Sequence, residues 1–440
     1  MKDKHIKIVE LFAGVGGFHL GFQRANRILG MKKHGFDIVW ANQWEPGKIN
    51  QPAFKVYKKH FNKSTDDYSN IDIHEVVEKY LNKIPSHHLL VGGFPCQDYS
   101  VARASTQARG IKGKKGVLWW DIYKILKNMG RNGPKYLMLE NVDRLLKSPT
   151  NQRGRDFAIM LSSLSKLDYA VEWRVINAAE YGMPQRRRRT YILGYKKGTN
   201  IYSKLKKCVV NKKTLNWFNG DGIFAKAFPI NPLDINTQKI FLERLKIDLT
   251  KITTEFNKNN ELKNTPFETA GIMIDRKVYT AKISPVYFKN KKDKTTLKDI
   301  VDKTKEIPSE YIIDISNKQL IEKWKTLKGP KRGIKLSRDK TYSYPYGEGG
   351  MAFPDFLDRP SRTIITGEGG PSPSRFKHVI EYESGYRRLI PEELEALNMF
   401  PRGHTKMEGI SDAKRAFFMG NALVVGIVTK LAVELYKEIK

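Results

Sequence analysis

Two cysteines in 440 residues, Cys96 and Cys208, are too few for a disulfide framework or a four-thiolate zinc site, and they fit a reducing compartment. Acidic residues are scarce as well: 46 Asp and Glu stand against 79 Lys and Arg, for a formal charge of +33. Such a surface draws polyanions, nucleic acid first among them. An AT-rich genome, which favours lysine and asparagine codons, is the competing source of that total, so the clustering of charge says more than its sum. Long apolar runs are missing too. No segment approaches the length of a membrane span, and Met1 to Val9 alternates charged and apolar residues without the apolar core of a signal peptide. A soluble, intracellular protein is expected, with no clustered ligand set for a metal.

What is present is enough apolar sequence, 40% of residues, to bury a full core, over a length that suggests two domains. Short runs suited to buried strands occur at Ile6 to Phe12, Asp37 to Asn42, His88 to Phe94, Lys135 to Glu140 and Val171 to Ala178, each followed by loop or helical sequence. That alternation predicts a mainly parallel α/β sheet, whose ligands bind beyond the carboxyl ends of the strands. After Tyr195 the pattern changes. Lys196, Lys197, Lys204, Lys206, Lys207, Lys212 and Lys213 fall in one stretch without an acid, and a long Lys- and Asn-rich region follows. The expected division is therefore 1–195, an inserted domain over 196–411, and a C-terminal segment over 412–440. Within the last, Ala422 to Ile439 has the periodicity of a core helix, with Leu423, Ile427, Leu431 and Leu435 on one face. Two similar turns, Gly347 to Gly350 and Gly367 to Gly370, read as hairpin turns or as loops on one surface.

Residues at the predicted strand ends are chemically suggestive. Phe12, Ala13, Gly14, Gly16 and Gly17 follow the first strand and open a helix, a place where a ligand can approach backbone N–H groups. His19 stands where the dinucleotide fingerprint needs a small residue, which disfavours a pyrophosphate-bearing cofactor. At the end of the second strand, Gln43, Trp44 and Glu45 offer polar groups for ribose hydroxyls and an indole face for a purine, although a lone Trp44 fits a core equally. Asp72 and Ile73 suit an adenine edge, or a helix N-cap in the case of Asp72. Pro95, Cys96 and Gln97 form a proline-stiffened turn after a strand, where the thiol reads as a nucleophile or as an inert packed cysteine. Glu140 and Asn141 end the neighbouring strand. A carboxyl beside a thiolate suits a pyrimidine, since sulfur adds to C6 while the acid hydrogen-bonds N3. Arg186 to Arg189 precede another strand. Most of them suit DNA phosphates, and strand alternation would put Arg187 and Arg189 on one face, pointing into the site.

In this order the motifs resemble the DNA cytosine-C5 methyltransferase family of bacterial restriction-modification systems, through residues 7–195 and again over about 359–428. The resemblance implies a Rossmann-like S-adenosylmethionine-dependent methyltransferase sheet with a smaller inserted target-recognition domain. It implies that the glycine loop and Phe12 bind S-adenosylmethionine, that Trp44 stacks on its adenine, and that Asp72 and Ile73 hold the adenine edge. Pro95, Cys96, Glu140, Arg187 and Arg189 would surround a flipped cytosine, with Gln97 and Ser100 on a mobile loop running to about Lys115. Leu118 would line the cofactor pocket. Arg359 to Thr363 resembles the segment that supports the recognition domain, and Asn421, Ala422 and Leu423 would return beside the glycine loop. Two departures stand out: Gln43 replaces a common glutamate, leaving its amide oxygen or Glu45 for the ribose, and Ala422 replaces a common serine.

The resemblance further implies double-stranded DNA as partner, a cognate restriction endonuclease in the same cell, a monomer, and a cytoplasmic, nucleoid-associated location. A transfer-RNA methyltransferase and a catalytically dead DNA-binding regulator are the rival readings. The long basic insertion argues against the first, and the intact Cys96, Glu140 and glycine loop against the second.

Overall fold

The computed structural model describes residues 5–31, 35–61, 67–94, 118–233, 238–242, 248–262, 264–286, 294–301, 306–336 and 343–439. The chain packs as two compact units, the first formed by 1–181, 188–288 and 425–440, the second by 182–187 and 289–424.

The first unit is built on a ten-stranded sheet. Its strands in chain order are β1 (Ile6–Leu11), β2 (Phe36–Asn42), β3 (Tyr68–Ser69), β4 (Leu89–Gly93), β5 (Tyr136–Val142), β6 (Tyr169–Asn177), β7 (Arg188–Lys196), β8 (Gln238–Leu242), β9 (Ala270–Ile274) and β10 (Lys277–Ala281). Their order across the sheet is β3-β2-β1-β4-β5-β7-β6-β9-β10-β8. Pairing is parallel from β3 through β5 and antiparallel from β5 onward. The parallel strands are near-continuous apolar runs, as strands covered on both faces must be. Helices α1 (Gly17–Ile28), α2 (Pro52–His60), α3 (Ile73–Lys79), α4 (Leu118–Met129) and α5 (Arg155–Lys166) follow the strands as connections.

The expected boundary at 195/196 is not where the packing divides. β9 pairs antiparallel with β6, so residues after 195 extend the same sheet. The reason lies in β6 itself: it is buried on both faces over Tyr169–Arg174 and its free edge needs a partner, which the wholly buried, apolar β9 supplies. Trp173 lies flat on Gly271, where a Cβ would fall 1.9 Å from the indole. At the other end, helix Val425–Ile439 alone joins this unit, beginning later than the expected 412. Gly21 of α1 leaves room for it, since a Cβ there would lie 2.5 Å from Val428. The stretch Asp412–Ile439 is in fact long and apolar enough to cross a membrane, contrary to expectation, but 78% of its apolar window is buried and it is interrupted at 422–424.

Behind β1 lies a buried polar chain. Tyr57 Oη donates to Glu10 Oε2 at 2.8 Å and meets His19 Nδ1 at 2.8 Å, while the His19 ring stacks on Phe61 with centroids 3.8 Å apart. Burial pushes the Glu10 carboxyl up to about 8, against the opposing pull of the Tyr57 hydrogen bond.

In the second unit, apolar side chains cluster around Ile313, Trp324 and Val379 and around Ile307, Tyr311 and Ile390, and Leu394, Leu397, Phe400, Phe418 and Met419 are buried as well. The unit contains β11 (Ile312–Ile313), β14 (Val379–Tyr382) and β15 (Gly385–Arg388) in one small sheet, and β12 (Lys331–Leu336) with β13 (Ser343–Glu348) in a separate ribbon. Buried ion pairs supplement these clusters. Arg387 and Glu393 are fully buried and joined at 2.7 Å and 2.9 Å. Asp355 takes a two-pronged contact from Arg362, at 2.6 Å and 3.0 Å, and also faces Lys328 Nζ at 3.6 Å. Burial alone would raise the Asp355 carboxyl, but Arg362 and its cationic neighbours hold it down at about 2. The Gly347 and Gly367 turns are not equivalent: Glu348 ends β13, whereas Glu368 is buried and accepts the His378 N–H at 2.6 Å.

Gly271→Ala is expected to lower unfolding stability by roughly 1–3 kcal/mol through overpacking against Trp173, measured by denaturant titration; an unchanged midpoint would contradict that contact. Glu10 carries a pH signature. From its ordinary 4.5 to about 8, the unfolded chain sheds a proton that the folded protein keeps. Stability from this group is thus complete below 4.5 and lost as pH rises towards 8, at up to about 1.4 kcal/mol per pH unit. Glu10→Gln should remove that slope, gaining on the wild type between those limits; parallel pH profiles would mean Glu10 is ionised in the fold.

Candidate active site

Connections from β1 and β4, which are adjacent and parallel, run to opposite sides of the sheet. A crevice opens at such a switch point, outside the strands' carboxyl ends. The loop leaving β1 turns through left-handed backbone at Phe12 (φ 55°), Gly14 (57°) and Gly16 (92°). Gly16 caps α1, and a Cβ on it would fall 2.1 Å from the Phe61 ring, so both conformation and packing demand glycine. A Cβ on Gly14 would meet none of the described residues within 4 Å. Ala13 N–H donates to the Asn42 carbonyl at 3.0 Å, and Gly17 starts α1.

The end of β2 braces this loop. Gly14 N–H donates to Gln43 Oε1 at 2.7 Å, so the amide oxygen expected to take the ribose already holds the glycine turn. Glu45, the other expected ribose ligand, accepts the Ala53 N–H at 2.7 Å, at the start of α2. A carboxylate there answers the unpaired N–H groups and positive dipole end of the helix. Trp44 is half-buried between them. Asp72 is half-buried and caps α3, accepting from His74 N–H at 3.0 Å, which is the helix-cap alternative of the sequence. Ile73 is buried and packs in the apolar core. Phe12, Ile71 and Leu118, the first residue of α4, are partly buried against that same core.

Pro95, Cys96 and Gln97 lie outside the described residues, which stop at Phe94. The end of β4 is nonetheless well defined. Gly93 stands opposite Glu140 in the β4–β5 ladder, and a Cβ on Gly93 would sit 3.1 Å from Glu140 Oε2. Asn141, buried, donates from Nδ2 to the Phe94 carbonyl at 2.9 Å and accepts the Val142 N–H at 2.8 Å. Glu140 pairs with Arg189 Nε at 3.1 Å. Val142 is the residue opposite Arg189, so Arg189 reaches diagonally along one face of the sheet to Glu140.

The four arginines separate. Arg188 is exposed and pairs with Asp143 at 3.0 Å. Arg187 precedes β7 and belongs to the second unit, where its buried guanidinium donates to the carbonyls of Ile364 (3.0 Å) and Gly420 (2.8 Å). The expectation that Arg187 shares a strand face with Arg189 is therefore corrected: the strand begins one residue later, and Arg187 braces backbone. Arg186 is exposed and lines a cavity of about 300 Å³ with Met351, Arg359, Ser361 and Arg362. Burial, then the neighbouring Arg362 and Arg359 charges, push its guanidinium below the ordinary arginine value.

The 359–363 segment holds the strip 184–186: Ser361 N–H donates to Pro184 O at 2.8 Å, Arg186 N–H to Ser361 O at 2.8 Å, and Thr363 Oγ1 to Arg186 O at 2.6 Å. Asn421 is exposed at the end of helix Asp412–Asn421, Ala422 caps that helix and Leu423 is buried, all in the second unit. Gly420 is packed so closely that a Cβ would lie 2.4 Å from the backbone at Ile365 and Thr366.

Three contributors escaped the sequence reading. Gln185, wholly buried, links Asn398 (2.8 Å) to the Ile364 N–H (3.0 Å), and only its place in the motif could have marked it. Glu10 was visible as one acid in an apolar strand. The Gln43–Gly14 bond had no signal in sequence.

The profile of C-5 cytosine-specific DNA methylases matches residues 6–437. The type II methyltransferase M.Sau3AI of Staphylococcus aureus is 42% identical over 433 residues, covering 98% of this chain and 96% of that protein. M.HhaI of Haemophilus parahaemolyticus is 30% identical over 204 residues, 46% of this chain and 53% of that one. Among solved structures, the Dnmt2 methyltransferase of S. pombe superposes with a TM-score of 0.55 at 14% identity, covering 99% of each chain, a likeness of fold. The chain belongs to the C-5 cytosine-specific DNA methylase family and is a DNA cytosine-5-methyltransferase.

Proposed function

We propose that the protein methylates C5 of a cytosine flipped out of a specific duplex DNA sequence, using S-adenosylmethionine and a covalent bond from Cys96 to C6. The observation that carries this reading is the pair of Glu140 on β5 with Arg189 on β7, beside the strand β4 that ends three residues before Cys96.

The residues present suit an adenosyl sulfonium. The turn at Gly14, the partly buried apolar Phe12, Ile71 and Leu118, and the half-buried Trp44 form an uncharged surround, and residues 12–17 carry no lysine or arginine for a polyphosphate. Asp72 would hold the adenine edge while capping α3. Bound there, S-adenosylmethionine supplies an electrophilic methyl group.

Extrusion of the base costs roughly a few kcal/mol and exposes C6. The Cys96 thiolate forms a bond to C6, and the C5–C6 π electrons become available at C5. Glu140 hydrogen-bonds N3 and Arg189 the O2 oxygen, stabilising the charge that develops in the ring. After C5 is alkylated, loss of its proton to a base or water returns the electron pair, the C6–S bond breaks, and Cys96 leaves as thiolate. Arg187, tied to Ile364 and Gly420, positions the arginine strip without touching the base. Arg186 and Arg359 are placed with backbone phosphates, and the second unit with sequence reading. The restriction-modification class of the relatives supports a cognate endonuclease in the same cytoplasm, and we assign the enzyme as a monomer.

Cys96→Ala should bind DNA and S-adenosylmethionine yet transfer no labelled methyl; residual turnover would overturn the covalent route. Glu140→Gln should slow transfer by about 10²–10⁴-fold with DNA affinity kept. With several phosphate contacts, DNA affinity should fall steeply from low to moderate salt; a flat profile in a filter-binding titration would contradict them.

A further inference from the structure

The ribbon β12–β13 has a feature that catalysis does not use. All six β12 residues, Lys331 to Leu336, are exposed, Ile334 at 78% and Leu336 at 62%. Both faces of that strand therefore stand clear of the second unit's core. Cross-strand register pairs Arg332 with Gly347, Ile334 with Pro345 and Leu336 with Ser343, so one face presents a guanidinium followed by two aliphatic side chains. The other face carries Lys331, paired with Glu348, and Lys335, whose ammonium lies 3.1 Å from the Tyr346 ring centroid.

The foot of this ribbon is clamped. Arg375, buried, pairs with Glu348 at 3.0 Å and donates to the carbonyls of Leu327, Gly329 and Gly349. Helix Lys318–Lys328 leads into β12 through Gly329, and its Trp324 is buried in the core. A rigid base thus holds out a basic strand whose apolar side chains have no core to join.

We propose that the β12–β13 ribbon enters the major groove of duplex DNA, with Arg332 reading a base edge, Ile334 and Leu336 packing on base methyl groups, and Lys331 and Lys335 flanking the phosphates. This rests on the DNA-methylating function proposed above. The charges support it: β12 bears three cations and no acid, and the nearby Glu348 is already neutralised by Arg375. So do the dimensions. Two strands about 4.8 Å apart fit, with their side chains, a groove about 12 Å wide. Exposed aliphatics beside a guanidinium match the thymine methyl and the two acceptors of guanine better than they match phosphate alone.

The test uses the full-length enzyme and a duplex library randomised around one cytosine, with methylation read by bisulfite sequencing and affinity by competition titration at several salt concentrations. Arg332→Ala should reduce the ratio of preferred to next-best sequence by about tenfold or more, with thermal stability unchanged. Arg332→Lys, which keeps the charge but loses the two-pronged donor, should lose the same discrimination while keeping the wild-type salt slope. Lys331→Ala combined with Lys335→Ala should weaken all sequences alike and reduce the salt slope by about one per contact. Wild-type discrimination in both Arg332 variants would overturn the proposal, leaving the ribbon to some other partner. Failure of the wild type to methylate any duplex would instead sink the proposed function, and the competition titration would then decide the ribbon by itself.

Discussion

The hydrogen bond from Asn141 to the Phe94 carbonyl is the constraint on which the site depends. It ties the end of β4 to the end of β5 where the ladder runs out, and so fixes the point from which the Cys96 segment departs. Without it, Glu140 would still sit on β5, but the chain leaving Phe94 would lose that tie to the strand. Arg189 completes the frame from β7, crossing to Glu140 on the same face of the sheet. On the other side of β4, strand β1 delivers the glycine loop at the same level, held there by Gln43. A carboxyl, a guanidinium and a glycine turn are thereby brought to one edge of a single rigid sheet, which is what electrostatic preorganisation requires.

The two units solve stability differently. The first buries a broad apolar core on both sides of its sheet, with polar chains such as Glu10–Tyr57–His19 and Glu172–Tyr195 set within it. The second adds buried charge pairs to its apolar residues, Arg387 with Glu393 and Arg362 with Asp355. Such pairs add modest net stability but are costly to break singly, so they specify one arrangement of the backbone.

Much of this was legible in the chain. Strands β1, β2, β4, β5 and β6 were readable because buried strands are continuous apolar runs bounded by turn residues, and each lies within a few residues of its expected place; the two-residue β3 is too short to leave such a run. The placement of the glycine loop after β1, of Glu140 and Asn141 near the end of β5 and of Arg189 at the start of β7 was readable from the apolar runs beside them. The domain boundary was not, because the basic composition after Tyr195 reflects solvent-facing surface, whereas β9 joins the sheet through a short apolar run, Ala270–Ile274, that lies far along the chain. Arg187 was misplaced because alternation holds only inside a strand, and β7 starts at Arg188. Gln43, Glu45 and Asp72 look like ligands in sequence, and their side chains brace the loop or cap helices; tertiary hydrogen bonding of that sort leaves no periodic trace.

Covalent trapping tests the central claim most directly, because a fluorine at C5 blocks the proton loss that would release the enzyme. Incubation with S-adenosylmethionine and duplex DNA containing 5-fluorocytosine should yield a denaturation-resistant protein–DNA adduct that maps to the Cys96 peptide. Cys208 is the internal control, since burial raises its thiol pKa and its sulfur is engaged with the Lys213 carbonyl at 2.8 Å. An adduct on any other residue, or methyl transfer to ordinary DNA with no adduct on the fluorinated duplex, would contradict the account.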